Sequence, residues 1–554
     1  MEPRAEAPAD PGGPGESGAA PLGVKGIAGA AAVISAGNLL SRVLGLGREQ
    51  LAAGLFGAGD QIAAFQIADN VHTLLFDLVM SGMLEAAMIP VLTVWALNTV
   101  GSRAELRRVS GALVTLALLI VGGLTLLGVI FAPAVVDAMT RFGGADGARA
   151  GATTALAVTM VRIILPAVLF LAVGDVLMSV LYALDRPGPP ALAAAARNAA
   201  IVVAMLLLST RLGVRSMAVG VVVGGVAIVA VQLPALAQER ALPRLNLEFG
   251  HPAVRTVFGL YLPIFLGLIV STAMVVVDRN LAWRAEADAL GAMRYATTLV
   301  QFVLGLVAAG ISLASLPRLS RHFDEGDEAA FRATLGQALG FVTLLIFPAV
   351  FGLAALGRPT VDLLFRHGET GGSASRLIVI ALLGYLPGHL FAAYDQVLIF
   401  AFYARKNTRT PVLVGVGSAV VYLAAAILLS REYGMIGLVI ANSLQFAAHT
   451  VVMFLLGWRV FGLRSADLRR VVGRCGAAAA LMAGAALLVW LVLRSVMPEP
   501  GSAGGGIASK SALLVVPATV GAIVYLAAIS KLRVREFESL RAAVMGRFAG
   551  KFGC

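Results

Sequence analysis

Charge is what this chain has least of. Asp, Glu, Lys and Arg make up 13% of its 554 residues, about half the ~25% of an ordinary soluble protein. That leaves too little polar surface to coat a globule of this length, which excludes a water-soluble multidomain protein. Cysteine is nearly absent, and Cys475 and Cys554 support neither a disulfide framework nor a zinc cluster. The six histidines have no metal-ligand spacing. There is no HExxH, no P-loop and no nucleophile elbow. No polar loop is long enough for a nucleotide-binding domain, so direct ATP hydrolysis is excluded and an enzyme reading finds no support. No cationic stretch precedes an apolar core near the start, so residues 1–24 read as a disordered cytoplasmic tail rather than a secretory signal.

Apolar residues are what is there: 59% of the chain, with a mean hydropathy of +0.88. A transmembrane helix needs ~20 mostly apolar residues. Such stretches lie near 25–46, 61–97, 109–133, 153–182, 190–210, 214–237, 254–278, 291–313, 332–356, 375–402, 410–430, 435–458, 470–493 and 511–530. The expectation is an all-α polytopic membrane protein of about fourteen spans, and the even number puts both termini on one side. The 61–97 stretch is too long for one straight span, since it would reach about 55 Å against a ~30 Å hydrocarbon core. A bend near Gly82 is expected, or else a projection into water.

The net charge of +12 and pI near 10.2 invite a nucleic-acid reading. Their distribution explains them otherwise. With the first tail inside, inner segments hold 26 Lys and Arg, outer loops 13, and Arg42, Arg162, Arg197 and Arg294 fall within spans. The positive-inside rule then makes both termini cytoplasmic, with no nucleic-acid partner implied.

The chain also repeats itself. Tyr182-Ala183 is followed by Pro190 and Leu192, and Tyr403-Ala404 by Pro411 and Leu413, so the pattern Tyr-Ala-x6-Pro-x-Leu occurs once in each half. Gly82–Pro90 (GMLEAAMIP) and Gly310–Pro317 (GISLASLP) echo each other at nearly the same offset. Two similar offsets imply two pseudo-symmetric six-helix lobes in parallel orientation, as in many transporters. The expected division is an N-lobe at 25–240, a C-lobe at 241–460, two further helices at 461–530 and a basic cytoplasmic tail at 531–554.

Charges within spans are costly and mark function by default. The first span carries Ser41, Arg42, Arg48 and Glu49, with Gly45 and Gly47 between the arginines to let the helix bend. The second carries Asp69, His72 and Asp77 within an arc of about 140°, where Asp69 or Asp77 can pair with Arg42. Arg294 is early in the eighth span, and Arg197, early in the fifth, is expected to snorkel. These cations suit an anionic, phosphate-bearing substrate. Asp278 and Asp395 are candidate cation sites; Asn442, Gln445 and His449 form a stripe suited to interhelical hydrogen bonds. Trp283, Trp458 and Trp490 fit an aromatic belt.

SRVLGLGREQLAAGLFGAGDQIAAF (residues 41–65) resembles the first helix of the MurJ (MviN) lipid II flippases, within the multidrug/oligosaccharidyl-lipid/polysaccharide exporter superfamily. GMLEAAMIPVL, SLPRLSRHF and AFYARKNTRTPV resemble that family at the ends of later helices, and the resemblance runs from about residue 28 to 460. It implies two lobes around a cationic cavity that carries the diphosphate-sugar-peptide head of lipid II outward across a bacterial plasma membrane. A groove beside the last two helices would hold the polyprenyl tail. The family's first-helix arginines match Arg42 and Arg48, with Ser41 alongside, and its neighbouring acid matches Glu49. Two further family arginines fall at or beside Asp77 and at Thr297-Thr298, where this chain has none; Arg294, one turn before Thr298, is placed to substitute. Arg42, Arg48 and Arg294 are therefore expected to converge on one cavity, with Asp77 turned to one of them. Asp278 matches an acid of a sodium site reported in some members. The implied partners are a polyprenyl-diphosphate substrate and membrane lipids. No resident cofactor is implied, and coupling to Na+, to H+ or to the membrane potential is left open. Rival readings are a flippase for another polyprenyl-diphosphate saccharide, a cation-coupled drug exporter, and a transport-silent scaffold for cell-wall assembly.

Overall fold

The computed structural model describes residues 24–80, 88–89, 91–93, 102–140, 148–258, 281, 287–462, 465–497, 506–539 and 541. Regular structure among them is entirely helical. In chain order the helices are α1 (Val24–Phe56), α2 (Asp60–Met80), α3 (Ser102–Ile130), α4 (Ala132–Thr140), α5 (Ala148–Ile164), α6 (Ala167–Ala183), α7 (Gly188–Leu212), α8 (Arg215–Gln238), α9 (Ala287–Asp324), α10 (Glu328–Leu364), α11 (Gly372–Ala404), α12 (Arg409–Phe461), α13 (Ser465–Val496) and α14 (Ile507–Lys531). Ten helices among the described residues are long and apolar enough to cross a membrane. A helix satisfies its own backbone polar groups, so these apolar sequences can fold where no water is available. Large side chains such as Leu207, Leu413 and Leu428 are exposed, on faces suited to lipid. The expected bend near Gly82 and most of the 254–278 span lie outside the described residues.

Breaks in the helices follow local chemistry. Pro166 separates α5 from α6 within one apolar run. The 53-residue α12 reverses at Gly434, whose φ of 52° and ψ of −125° suit only glycine. That break divides α12 into the two spans expected at 410–430 and 435–458. A Cβ on Gly437 would overlap the Leu429 carbonyl, so the two halves meet almost backbone to backbone.

The helices pack in two groups. Helix α1 lies on α7, α7 on α8, α6 on α8, α2 on α5 and α3 on α6. In the second group α9 and α10 both pack on α11, and α11 packs on α12. The groups meet where α1 and α2 touch α9, and α13 and α14 form a pair against α10.

The repeated motif has a repeated conformation. Asp185 and Lys406, each the third residue after the Tyr of its motif, both take the left-handed conformation at φ 59°. After α6 the Arg186 amide donates to the Leu181 carbonyl at 2.8 Å; after α11 the Asn407 amide donates to the Phe402 carbonyl at 3.0 Å. Each is the six-to-one closure that ends a helix on a left-handed residue.

Candidate functional site

Helices α1, α2 and α9 bring their charged residues together by depth. Glu49 lies seven residues before the end of α1, Arg294 seven after the start of α9, and Asp69 nine after the start of α2. At 1.5 Å per residue all three lie roughly 10–14 Å from the α1–α2 turn, and there they meet. Arg294 donates from Nε to Glu49 Oε2 at 2.8 Å and from Nη2 to Oε1 at 2.9 Å, a bidentate pair. Its Nη1 reaches Gln66 Oε1 at 2.5 Å and Asp69 Oδ2 at 3.0 Å, and the guanidinium lies over the Phe65 ring at 5.0 Å. Glu49 is buried and also accepts from Arg48 at 2.6 Å. Arg48 reaches across to Asn198 of α7 at 3.1 Å, and Asn198 donates to the Ser41 carbonyl at 3.0 Å.

Arg48 and Arg294 thus meet through Glu49, without the third arginine of the expected set. Arg42 meets the same face of α9 two turns deeper, donating to the Gln301 carbonyl at 3.1 Å and lying against Gly305, where a Cβ would overlap the guanidinium. Residues 294, 298, 301 and 305 form one stripe on α9, so Thr298 sits between the two arginine positions.

Three expectations are corrected. Asp77 is exposed and makes no ion pair among the described residues; the α2 acid that reaches an α9 arginine is Asp69. Asp77 lies seventeen residues into α2, about 12 Å beyond Asp69 and out of reach of Arg294. Nor does Arg197 snorkel. Its Nε is buried without a hydrogen-bond partner, its Cγ would touch a Cβ on Gly224 at 3.0 Å, and Arg48, Asp69 and Asp175 are the charges that act on it. His72, also buried, has neither ring nitrogen hydrogen-bonded, with Nδ1 3.8 Å from Asp69. Trp490 is buried among Leu356, Ala486 and Leu513 instead of standing in a belt. Asp278 and Trp283 lie outside the described residues. Gln66 and Asn198 were not singled out from sequence; each is polar in an apolar span, at the depth of an arginine.

Beside this cluster the two groups close on each other through backbone. Tyr295, fully buried, donates to the Gly57 carbonyl at 2.7 Å and stacks on Phe365. From the α10–α11 loop, the Glu369 amide donates to the Gly54 carbonyl at 3.0 Å and Thr370 Oγ1 to the Ala53 carbonyl at 2.7 Å. Gly291 and Gly368 touch the Ala58 and Gly54 carbonyls so closely that a Cβ on either would overlap them.

A helical membrane protein with arginines facing one another across two repeated groups fits a transporter, and comparison with known proteins decides which kind. A family model described as "Lipid II flippase MurJ" matches residues 52–528. The chain belongs to the lipid II flippase MurJ family. It is 28% identical over 503 residues to a probable lipid II flippase MurJ of Vibrio cholerae, covering 87% of this chain and 94% of that relative. A lipid II flippase MurJ of Burkholderia cenocepacia is 28% identical over 469 residues, covering 83% and 89%. In fold the chain matches a solved lipid II flippase MurJ in an inward closed conformation, with a TM-score of 0.72 at 20% identity over 90% of this chain and 98% of that one. It also matches an inward-facing MATE-family multidrug transporter of the MOP superfamily, with a TM-score of 0.62 at 16% identity over 78% and 96%. MurJ membership makes this a multi-pass membrane transporter rather than an enzyme.

Proposed function

We propose that this chain flips lipid II from the inner to the outer leaflet of a bacterial plasma membrane by alternating access. One observation carries the reading beyond family membership: Arg294 meets Arg48 through Glu49 between the two helix groups. It supplies on α9 a cation that the family motif would have at Thr297-Thr298. A diphosphate entering between the groups meets Arg42 first. Arg42 gives one hydrogen bond to a carbonyl, which an anionic oxygen can replace. The diphosphate then competes with Glu49 and Asp69 for Arg48 and Arg294. Once those acids are displaced, the two groups lose their ion pairs, and the closed face opens toward the outer leaflet.

The basic-residue bias puts both termini in the cytoplasm and the α1–α2 turn outside. Reporter fusions after residue 145 should then score outside and after residue 465 inside. An excess of cavity cations makes the return of the empty carrier sensitive to membrane potential, at ~2.3 kcal/mol per charge per 100 mV. The missing arginines at Asp77 and Thr298 favour a second reading, a flippase for another polyprenyl-diphosphate saccharide. Complementation of a flippase-depleted bacterium by the wild type, but not by Arg42→Ala or Arg294→Ala, tests the first reading. Liposomes offered a fluorescent lipid II analogue and a differently glycosylated polyprenyl diphosphate separate the two.

A further inference from the structure

The second helix group contains a buried carboxylate–imidazole pair with no part in the arginine cluster. Asp395 on α11 and His449 on α12 meet at 2.7 Å, Oδ1 to Nδ1, and are 7% and 8% exposed. The ring also lies near the backbone of Pro411, at the start of α12. Proline has no amide hydrogen, so the group it offers the ring is its carbonyl oxygen. The imidazole therefore faces two acceptors, and only the doubly protonated ring can donate to both. The neutral ring has one proton for two oxygens. Pro411 precedes the Gly434 break and His449 follows it, so the protonated ring ties together α11 and both halves of α12.

Asp395 is the one charged side chain among the described residues that acts on this ring. The other polar groups nearby have partners elsewhere. Tyr394 shares a hydrogen bond of 2.8 Å with Thr343 of α10, His389 lies 3.0 Å from the Tyr385 carbonyl, and Thr450 donates to the Phe391 carbonyl at 3.0 Å. On α12 itself Gly415 lies against Nε2, with 3.7 Å to the place a Cβ would take.

The internal repeat provides a comparison within one molecule. The register that sets Lys406 on Asp185 also sets Asp395 on Gly174 and His449 on Ile228. Those two residues also touch: a Cβ on Gly174 would lie 2.5 Å from Ile228 Cγ2. The first group makes the corresponding helix crossing, α6 on α8, with a glycine and an isoleucine. Packing there needs no carboxylate or imidazole. Withdrawing a carboxylate and an imidazole from water is unfavourable, so at this crossing the pair calls for a reason other than packing.

We propose that Asp395 and His449 form a proton-binding site that couples proton movement to the conformational cycle; this rests on the reading of the chain as a flippase. With the proton bound, the pair is neutral overall and holds α11 to α12. When His449 loses its proton, Asp395 is left as an unpaired anion in a low-dielectric site. That favours a conformation in which the carboxylate reaches water. Uptake from one side of the membrane and release to the other lets a proton gradient drive the return of the empty carrier.

The test uses the purified full chain in phospholipid liposomes, with membrane potential clamped by valinomycin and equal potassium, a fluorescent lipid II analogue and an internal pH dye. The wild type is expected to flip faster under an inward proton gradient, by up to about tenfold per pH unit for a one-proton step, with internal acidification in step. Asp395→Asn and His449→Gln should lose both responses. The double variant Asp395→Gly with His449→Ile reproduces the Gly174–Ile228 contact; it should elute as folded protein and respond to no gradient. A second readout needs no lipid substrate. Spin labels at Gln61→Cys and Gly371→Cys, across the closed face, should report a pH-dependent distance in the wild type that the double variant lacks. A wild type with no gradient response and no pH-dependent distance overturns the proposal, as does any of these variants retaining the responses. A pH-dependent distance without movement of the lipid II analogue refutes the flippase reading while leaving the proton site in place.

Discussion

If Glu49 and Arg294 hold the two helix groups together, removing either should open the closed face, and the size of the effect can be worked from the geometry. Glu49 is 1% exposed and Arg294 is joined to it by two hydrogen bonds of 2.8 and 2.9 Å. Stripping one partner from a buried, hydrogen-bonded charge pair costs about 2–5 kcal/mol, much of it from the charge left behind. Glu49→Gln belongs near the low end, because Arg294 keeps Asp69 and Gln66, and Arg48 keeps Asn198. Arg294→Met belongs near the high end, because it strands both Glu49 and Asp69. Even about 2 kcal/mol changes a two-state ratio roughly thirtyfold. Spin labels at Gln61→Cys and Gly371→Cys should register a shift of that size toward longer distances in each single variant. The double variant should show a coupling of at least about 1.5 kcal/mol, as close interfacial charge pairs do. A distance distribution that changes by less than about twofold in both single variants would mean that these ion pairs do not hold the face closed.

Three further outcomes are expected. Tyr295→Phe removes one buried hydrogen bond to the Gly57 carbonyl and should lower the closed population by about 1 kcal/mol in the same distance measurement. Gly291→Ala sets a Cβ against the Ala58 carbonyl, where backbone on both sides leaves nothing to yield; it should open the face more than Tyr295→Phe does. Gly305→Ala meets only the flexible tip of Arg42, so unfolding stability should change by less than about 0.5 kcal/mol, while flipping of the lipid II analogue falls at least about tenfold. Normal flipping by Gly305→Ala would place substrate binding away from Arg42.

Helical character was legible in the sequence because it rests on local facts: apolar runs of spanning length and a Tyr-Ala motif that recurs in the second half. The chemistry of the cluster was legible too, since Arg42, Arg48 and Arg294 stand out in apolar surroundings. Which acid meets which arginine was not. Asp69 and Asp77 share one arc of α2, and periodicity alone gives both the same facing. Depth separates them, and depth depends on where each helix begins. Arg48, Glu49, Asp69 and Arg294 can be aligned only once α1, α2 and α9 are known to end at the same face. Counting residues from the Phe56–Asp60 turn and from the start of α9 would have paired Arg294 with Glu49 and Asp69, and Arg42 with Gln301. The Asp395–His449 pair was hidden for a different reason. Each residue stands out on its own helix, but their contact depends on how α11 crosses α12, which no local pattern encodes.

The seam between the α10–α11 loop and the end of α1 is made largely of peptide groups. The carbonyls of Ala53, Gly54 and Gly57 receive the hydroxyl of Thr370, the amide of Glu369 and the phenol of Tyr295. Every residue has a carbonyl, so on the α1 side the receiving surface is indifferent to which small side chain is present. An alanine scan across residues 53–57 would therefore come back almost blank at Ala53, which is already alanine, and would register Gly54 and Gly57 through added bulk instead of lost contacts. Mutational sensitivity on the α1 side runs opposite to that of a side-chain interface: enlargement, not truncation, is disruptive. Sequences can drift along this seam without weakening its hydrogen bonds, provided the side chains stay small.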